Sequence, residues 1–136
     1  MVIVTIPKRR VEFLSQTYAG KTHEKKIADQ EAIAYLPDTI LYKDTGFQGY
    51  EPLIKKTCQP KKKTRRKGLT PAEKQTHRKL ARIRVQVEHS IAGVKRVRIV
   101  QDTFRNTEEG DSDAVMEAAC GLHNLRVNKR KRRLKP

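Results

Sequence analysis

The chain has no tryptophan, two cysteines, two methionines and three phenylalanines, and aromatic residues make up 5% of its 136 positions. With so few large rings the core must be built from Val, Ile, Leu and Ala. A mean hydropathy of -0.78 makes that core a modest one for a single domain's length. Cys58 and Cys120 are too few and too far apart for a disulfide framework, so reduced thiols in a cytoplasmic protein are expected. No apolar run is long enough to cross a bilayer. Met1-Val2-Ile3-Val4-Thr5-Ile6 lacks a basic leader and runs into Pro7-Lys8-Arg9-Arg10, so it reads as a strand and not as a signal peptide. Acids are scarce as well, 15 against 31 Lys and Arg, which leaves a net charge of +16.

That excess is uneven. Residues 1–54 hold seven basic and seven acidic residues, whereas residues 55–136 hold 24 against eight. A solvated surface needs no such bias, since added acids serve solubility better than added Lys and Arg. A polyanion does explain it, because each phosphate neutralised releases counterions. Nucleic acid is therefore the expected partner.

In chain order, Val2–Ile6 and Val11–Ser15 read as an antiparallel hairpin. Thr22 is positioned to cap a helix that buries Ile27, Ala28, Ala32 and Ile33 and ends at Pro37-Asp38. An apolar strand over 39–44 follows, with Asp44 at its terminus and a glycine-rich turn, Thr45-Gly46-Phe47-Gln48-Gly49-Tyr50, after it. The helix then acts as a crossover that puts this strand in the hairpin's sheet, an α/β order. A weaker strand is expected over 53–57. Residues 59–68 form an exposed basic loop containing Lys61, Lys62, Lys63, Arg65, Arg66 and Lys67. A last helix, capped by Ser112 or Asp113, is expected to bury Val115, Ala118, Ala119, Leu122 and Leu125. The basic run from Asn128 reads as an unstructured tail.

The clearest element lies between the basic loop and that last helix. Thr70-Pro71-Ala72-Glu73 reads as a capping box with proline at the first helical position. Leu80, Ile83, Val87, Ile91 and Val94 then recur at three- and four-residue steps as one apolar stripe. Arg84, Glu88 and Lys95 stand at i, i+4 and i+11, which places them in one strip beside it. The bland reading of Glu88 is a helical pair with Arg84, worth on the order of a few tenths of a kcal/mol. Cys120-x-x-His123 is half of a zinc spacing with no second half nearby, so helix packing is expected of it. His77 reads as a surface residue, and His89 points about 100° away from Glu88 around the helix. Tyr42, Phe47 and Tyr50 suit base stacking, but beside a glycine turn they are expected in a core.

Asp44-Thr45-Gly46-Phe47-Gln48-Gly49-Tyr50, together with Arg84-x-x-x-Glu88 and Lys95 seven residues on, resembles the catalytic half of bacterial insertion-sequence transposases of the DDE type. The later Gly121-Leu122-His123-Asn124-Leu125-Arg126 is of that type too, so the resemblance covers nearly the whole chain. It implies an RNase H-like domain over 1–128, with 129–136 as a tail. In such a domain two aspartates and a glutamate hold two divalent metals, normally Mg²⁺, for in-line attack on a DNA phosphodiester. By the resemblance, Asp44 is the second aspartate and Glu88 the third acid. Arg84 and Lys95 would then hold phosphate or orient the glutamate, and the basic loop would lie on DNA.

One departure is marked. The family's first aspartate sits on a strand upstream of the hairpin. Of the aspartates before Asp44, Asp29 falls in the crossover helix and Asp38 in a loop. The expectation is a partial RNase H-like fold lacking its first strand, active only when joined to the upstream half of a split transposase, or else a remnant. Members also commonly show His-Asp-Lys where this chain has His23-Glu24-Lys25. A non-catalytic basic nucleic-acid-binding protein is the alternative. Such a protein explains the charge but not the Asp44 and Glu88 motifs. An RNase H-like sheet without that strand has open apolar edges, which invites self-association. Thermal unfolding of the purified chain, followed alongside its sedimentation, should show a broad transition or oligomers. A sharp, cooperative, monomeric transition would count against this expectation.

Overall fold

The structure, a computed structural model, describes residues 1–6, 8–60, 70–102, 105, 108 and 110–130. It is mixed α/β, with two small sheets and three α-helices among the described residues. The chain divides into two compact units, one made of Met1 with Tyr18–Arg84 and the other of Val2–Thr17 with Val85–Pro136. No described helix is long and apolar enough to cross a membrane.

In the first unit, α1 spans Glu24–Glu31. Its cap is His23, whose ring accepts from the Lys25 N–H at 3.3 Å, and not Thr22 as the sequence suggested. The helix also stops short of Pro37, because Ala32 takes a left-handed conformation at φ 42°. Strand β3, Ile40–Tyr42, pairs in parallel with β4, Lys56–Cys58, in register Ile40↔Lys56. The expectation that β3 joins the hairpin's sheet is therefore corrected. The segment read as a weak strand over 53–57 supplies its partner, three residues further along. Ala28 and Tyr50 are the unit's buried apolar residues.

Helix α2 covers Pro71–Val94 and contributes to both units. Its start is the reciprocal cap read from the sequence: Thr70 N–H donates to Glu73 Oε2 at 3.0 Å, and Glu73 N–H to Thr70 Oγ1 at 3.3 Å. Leu80, Ile83 and Val87 are half-buried and Val94 buried, while Ile91 stays 38% exposed. Lys95 lies one residue past the helix, its N–H still bonded to the Ile91 carbonyl at 2.9 Å.

In the second unit, β1 (Val2–Thr5) and β2 (Arg10–Leu14) form the antiparallel hairpin, with a register shift between Ile3 and Val4. Val11, Val94, Ala119 and Cys120 make its core, lined by Val2, Val4, Leu14, Val97 and Val100. Helix α3, Asp111–Lys129, begins after Gly110 in a left-handed conformation, without a side-chain cap. Asp113 instead accepts from the Thr17 N–H at 2.9 Å. The helix carries two residues into the segment read as tail.

The buried side of α3 differs from the one its apolar residues suggested. Ala119, Cys120 and His123 are buried, whereas Leu122 and Leu125 are more than half exposed. The reason is polar. Asn124 Oδ1 accepts from the Val11 N–H and Asn124 Nδ2 donates to the Val11 carbonyl, both at 2.8 Å, as a neighbouring strand would. His123 Nε2 lies 2.9 Å from the Arg9 carbonyl. A carbonyl only accepts, so Nε2 carries the proton and Nδ1 accepts from Arg126 Nη2 at 3.4 Å. Ser90 Oγ, whose one proton is shared with the Gln86 carbonyl at 3.1 Å, lies 3.3 Å from the same Arg9 carbonyl, and Arg9 itself sits at φ 57°. Gly93 makes room for the ring, since a Cβ there would meet His123 Nδ1.

Replacing Asn124 with Leu or Ala should strand the N–H and carbonyl of Val11, each at a cost of about 1–3 kcal/mol. Both variants are expected to lower the urea midpoint and to deprotect the Val11 amide in hydrogen exchange. An unchanged Val11 exchange rate would show that the side-chain clasp does not hold the strand.

Candidate active site

Asp44 stands two residues beyond β3, where the ladder continues through the Lys43 N–H to the Cys58 carbonyl at 3.0 Å. It caps a short 3₁₀ turn, Thr45–Phe47, with Oδ1 accepting from the Thr45 N–H at 2.7 Å. Its own carbonyl accepts from the Phe47 N–H at 3.1 Å and from Gln59 Nε2 at 2.7 Å. Oδ1 accepts from Thr45 Oγ1 as well, at 3.5 Å, so of the carboxylate's about four acceptor positions those on Oδ1 are largely used. Its other oxygen, Oδ2, faces Arg84 Nη2 at 3.6 Å, with both side chains half exposed or more. At that distance and exposure the pair adds little stability, about 0–1 kcal/mol.

The turn is braced from behind by a residue the sequence reading passed over. Lys43 is buried, and its ammonium donates to the Tyr50 carbonyl and, at 2.8 Å, to Glu51 Oε1, closing the mouth of the 44–49 loop. Glu51 also accepts from Thr57 Oγ1 at 3.3 Å. Its carboxyl is held below the ordinary range, first by the Lys43 hydrogen bond, then by that ammonium's charge, with Thr57 adding a smaller share. The available signal was a lysine directly before the aspartate and a glutamate eight residues on, a pairing that only loop closure creates.

The two glycines of the turn have separate reasons. A Cβ at Gly46 would run into the carboxylate of Glu24, in the first turn of α1. Gly49 holds φ +82° and lies against the Lys25 side chain. Glu24 and Lys25 thus lie against the Asp44 turn, a role invisible in their spacing. Tyr50 is buried and donates to the Tyr35 hydroxyl at 3.5 Å. Burial pushes the Tyr35 phenol above its ordinary range. Phe47 is half-buried, and Tyr42 remains 42% exposed.

Of the residues singled out by sequence, the fold brings Asp44 and Arg84 together within the first unit. Glu88 lies one turn beyond Arg84, on the part of α2 that belongs to the second unit, and is exposed, as is Lys95. Lys61, Lys62, Lys63, Arg65, Arg66 and Lys67 lie outside the described residues. His77 is half-buried and not a plain surface residue, and its Nε2 is shielded without a hydrogen-bond partner among the described residues. Cys120 packs in the core, where burial pushes its thiol up, and both nitrogens of His123 are hydrogen-bonded, so the pair takes the helix-packing role expected of it. No group of three His, Cys, Asp or Glu able to hold a metal forms among the described residues.

The sequence model of the DDE superfamily endonucleases matches residues 1–124. A probable transposase for insertion sequence element IS702, from Microchaete diplosiphon, is 28% identical over 87 residues, 64% of this chain and 32% of that protein. The chain thus spans about a third of the length of this curated relative. No solved structure matches.

The Lys43 brace carries a pH dependence of definite sign. A carboxyl lowered by folding stabilises above its ordinary value of 4.5, and that contribution disappears as pH falls through the lowered value. Carbon-detected titration should place the Glu51 midpoint below 4.5 in the native chain and return it to the ordinary range in Lys43→Met. An ordinary midpoint in the native chain would remove the brace.

Proposed function

We propose that this chain, which belongs to the DDE superfamily endonuclease family, is the C-terminal portion of a DDE transposase that cleaves and joins DNA strands in transposition. The observation that carries this reading is the Asp44–Arg84 pair. Two signature residues forty positions apart in sequence face one another at 3.6 Å, on a turn held by its own cap and by Lys43. The transposase relative and the basic half of the chain support it from outside the site.

On this reading Asp44 and Glu88 are two of the acids that hold divalent metal, with Mg²⁺ the natural ion for carboxylate oxygens. Their chemistry suits such an ion in kind, while no group of three such ligands forms among the described residues. The remaining acid comes from sequence outside these 136 residues, in an RNase H-like domain that this chain completes over 1–128. By itself the chain binds DNA without cutting it, and it self-associates. It acts at the nucleoid, in the cytoplasm. Arg84 sits where its guanidinium can take a phosphate oxygen while keeping Asp44 oriented. Lys95 and the basic residues Lys61, Lys62, Lys63, Arg65, Arg66 and Lys67 add contacts to the DNA backbone.

The test is strand nicking and joining on element-end DNA in Mg²⁺, by the chain supplied with the upstream half of the transposase. Asp44→Ala and Glu88→Ala should each lower the rate by more than about 100-fold, beyond what loss of an outer-shell partner does. DNA binding should survive both changes, and Arg84→Ala should cost less than either acid. If the activity is indifferent to both acids, the site assignment fails. If no nicking appears while binding persists, the chain is the non-catalytic basic nucleic-acid-binding protein.

A further inference from the structure

One face of α2 carries charge that neither the Asp44 turn nor Glu88 uses. At about 100° per residue, Lys74, Arg78 and Arg82 fall within about 80° of each other. Their centre lies about 180° from the stripe of Leu80, Ile83, Val87 and Val94, and roughly 100° from Arg84 and Glu88. All three are exposed. None makes an ion pair or side-chain hydrogen bond among the described residues. No acid occurs from Lys74 through Val87.

A solvated helix face ordinarily mixes signs, because like charges one turn apart destabilise a helix and opposite charges at the same spacing support it. Here Lys74, Arg78 and Arg82 repeat one sign at successive turns, and no acid among the described residues pairs with them to offset the repulsion. A bound polyanion would. We propose that Lys74, Arg78 and Arg82 form a ridge that lies along the sugar–phosphate backbone of duplex DNA, separate from the Asp44–Arg84 pair. The inference rests on the reading that DNA is the substrate, and it names where on this chain the duplex lies. The ridge extends about 12 Å along the helix, a length over which a duplex presents on the order of seven phosphates. Arg78 and Arg82 suit two-pronged contacts to phosphate oxygens, and Lys74 contributes a mobile point charge. Such contacts carry no sequence information, so the ridge sets position and affinity and leaves target choice to other residues.

The experiment is fluorescence anisotropy of the full chain on a labelled duplex of arbitrary sequence, between about 50 and 200 mM KCl and without divalent metal. Lys74→Gln, Arg78→Gln and Arg82→Gln are combined, because glutamine keeps the helix propensity while removing the charge. A control variant, Lys21→Gln, Lys26→Gln and Lys56→Gln, removes the same charge from exposed positions elsewhere in the first unit. Three lost phosphate contacts should flatten the salt slope by about 2.7 and weaken binding at least about tenfold. Helix content by circular dichroism should be unchanged, and the control should shift the slope by less than about one. An unchanged slope in the ridge variant, or an equal loss in the control, overturns the ridge. Neither metal nor cleavage enters this assay, so the ridge and the nuclease reading fail independently. Retained binding by the ridge variant leaves Asp44 and Glu88 untouched, and a chain that never cuts DNA can still lose its salt slope with the ridge.

Discussion

Helix α2 is the element on which the rest depends, and its first turn is where it is secured. Thr70 and Glu73 satisfy each other's orphan N–H groups, and Pro71 has none to satisfy. From there one helix serves both units in turn. It gives the first unit Arg84, which meets Asp44, and the second unit Ser90, Gly93 and Val94, which receive Arg9, His123 and the small apolar core. A helix that started a residue or two late would lose its reciprocal cap while keeping every later contact to make.

The sheets could not stand by themselves. A two-stranded hairpin is marginal in water, and the second unit's core holds four buried residues among those described. What closes the gap is polar. Asn124 imitates a neighbouring strand to Val11, while His123 and Ser90 share the Arg9 carbonyl, and Arg126 Nη2 donates to the Gly93 carbonyl at 2.7 Å. Ser90 and His123 are buried and Asn124 is half-buried, and in such shelter a satisfied network is rigid and an incomplete one is costly. That trade explains why α3 turns Leu122 and Leu125 outward and keeps an amide and an imidazole inside.

The Asp44 turn follows the same economy of polar contacts. Its carboxylate caps the turn with one oxygen and faces a guanidinium with the other. Lys43, buried directly before it, ties the far end of the loop back to the strand. An acid held this way is fixed at one point of the turn.

Much of this could be read from residue order alone: the capping box, the hairpin, the helix before β3, the basic excess of the second half, and the family signature around Asp44 and Arg84. Those depend on local rules, such as which N–H groups lack partners and which spacing makes a stripe, and they need no knowledge of distant neighbours. Tertiary structure alone decided the rest. It set β3 beside β4, brought Glu24 and Lys25 against two glycines, buried Lys43, and chose His123 and Asn124 over leucines for the inner face of α3. In each case a backbone group far away in sequence had to find a partner, and hydropathy along the chain carries no record of that demand.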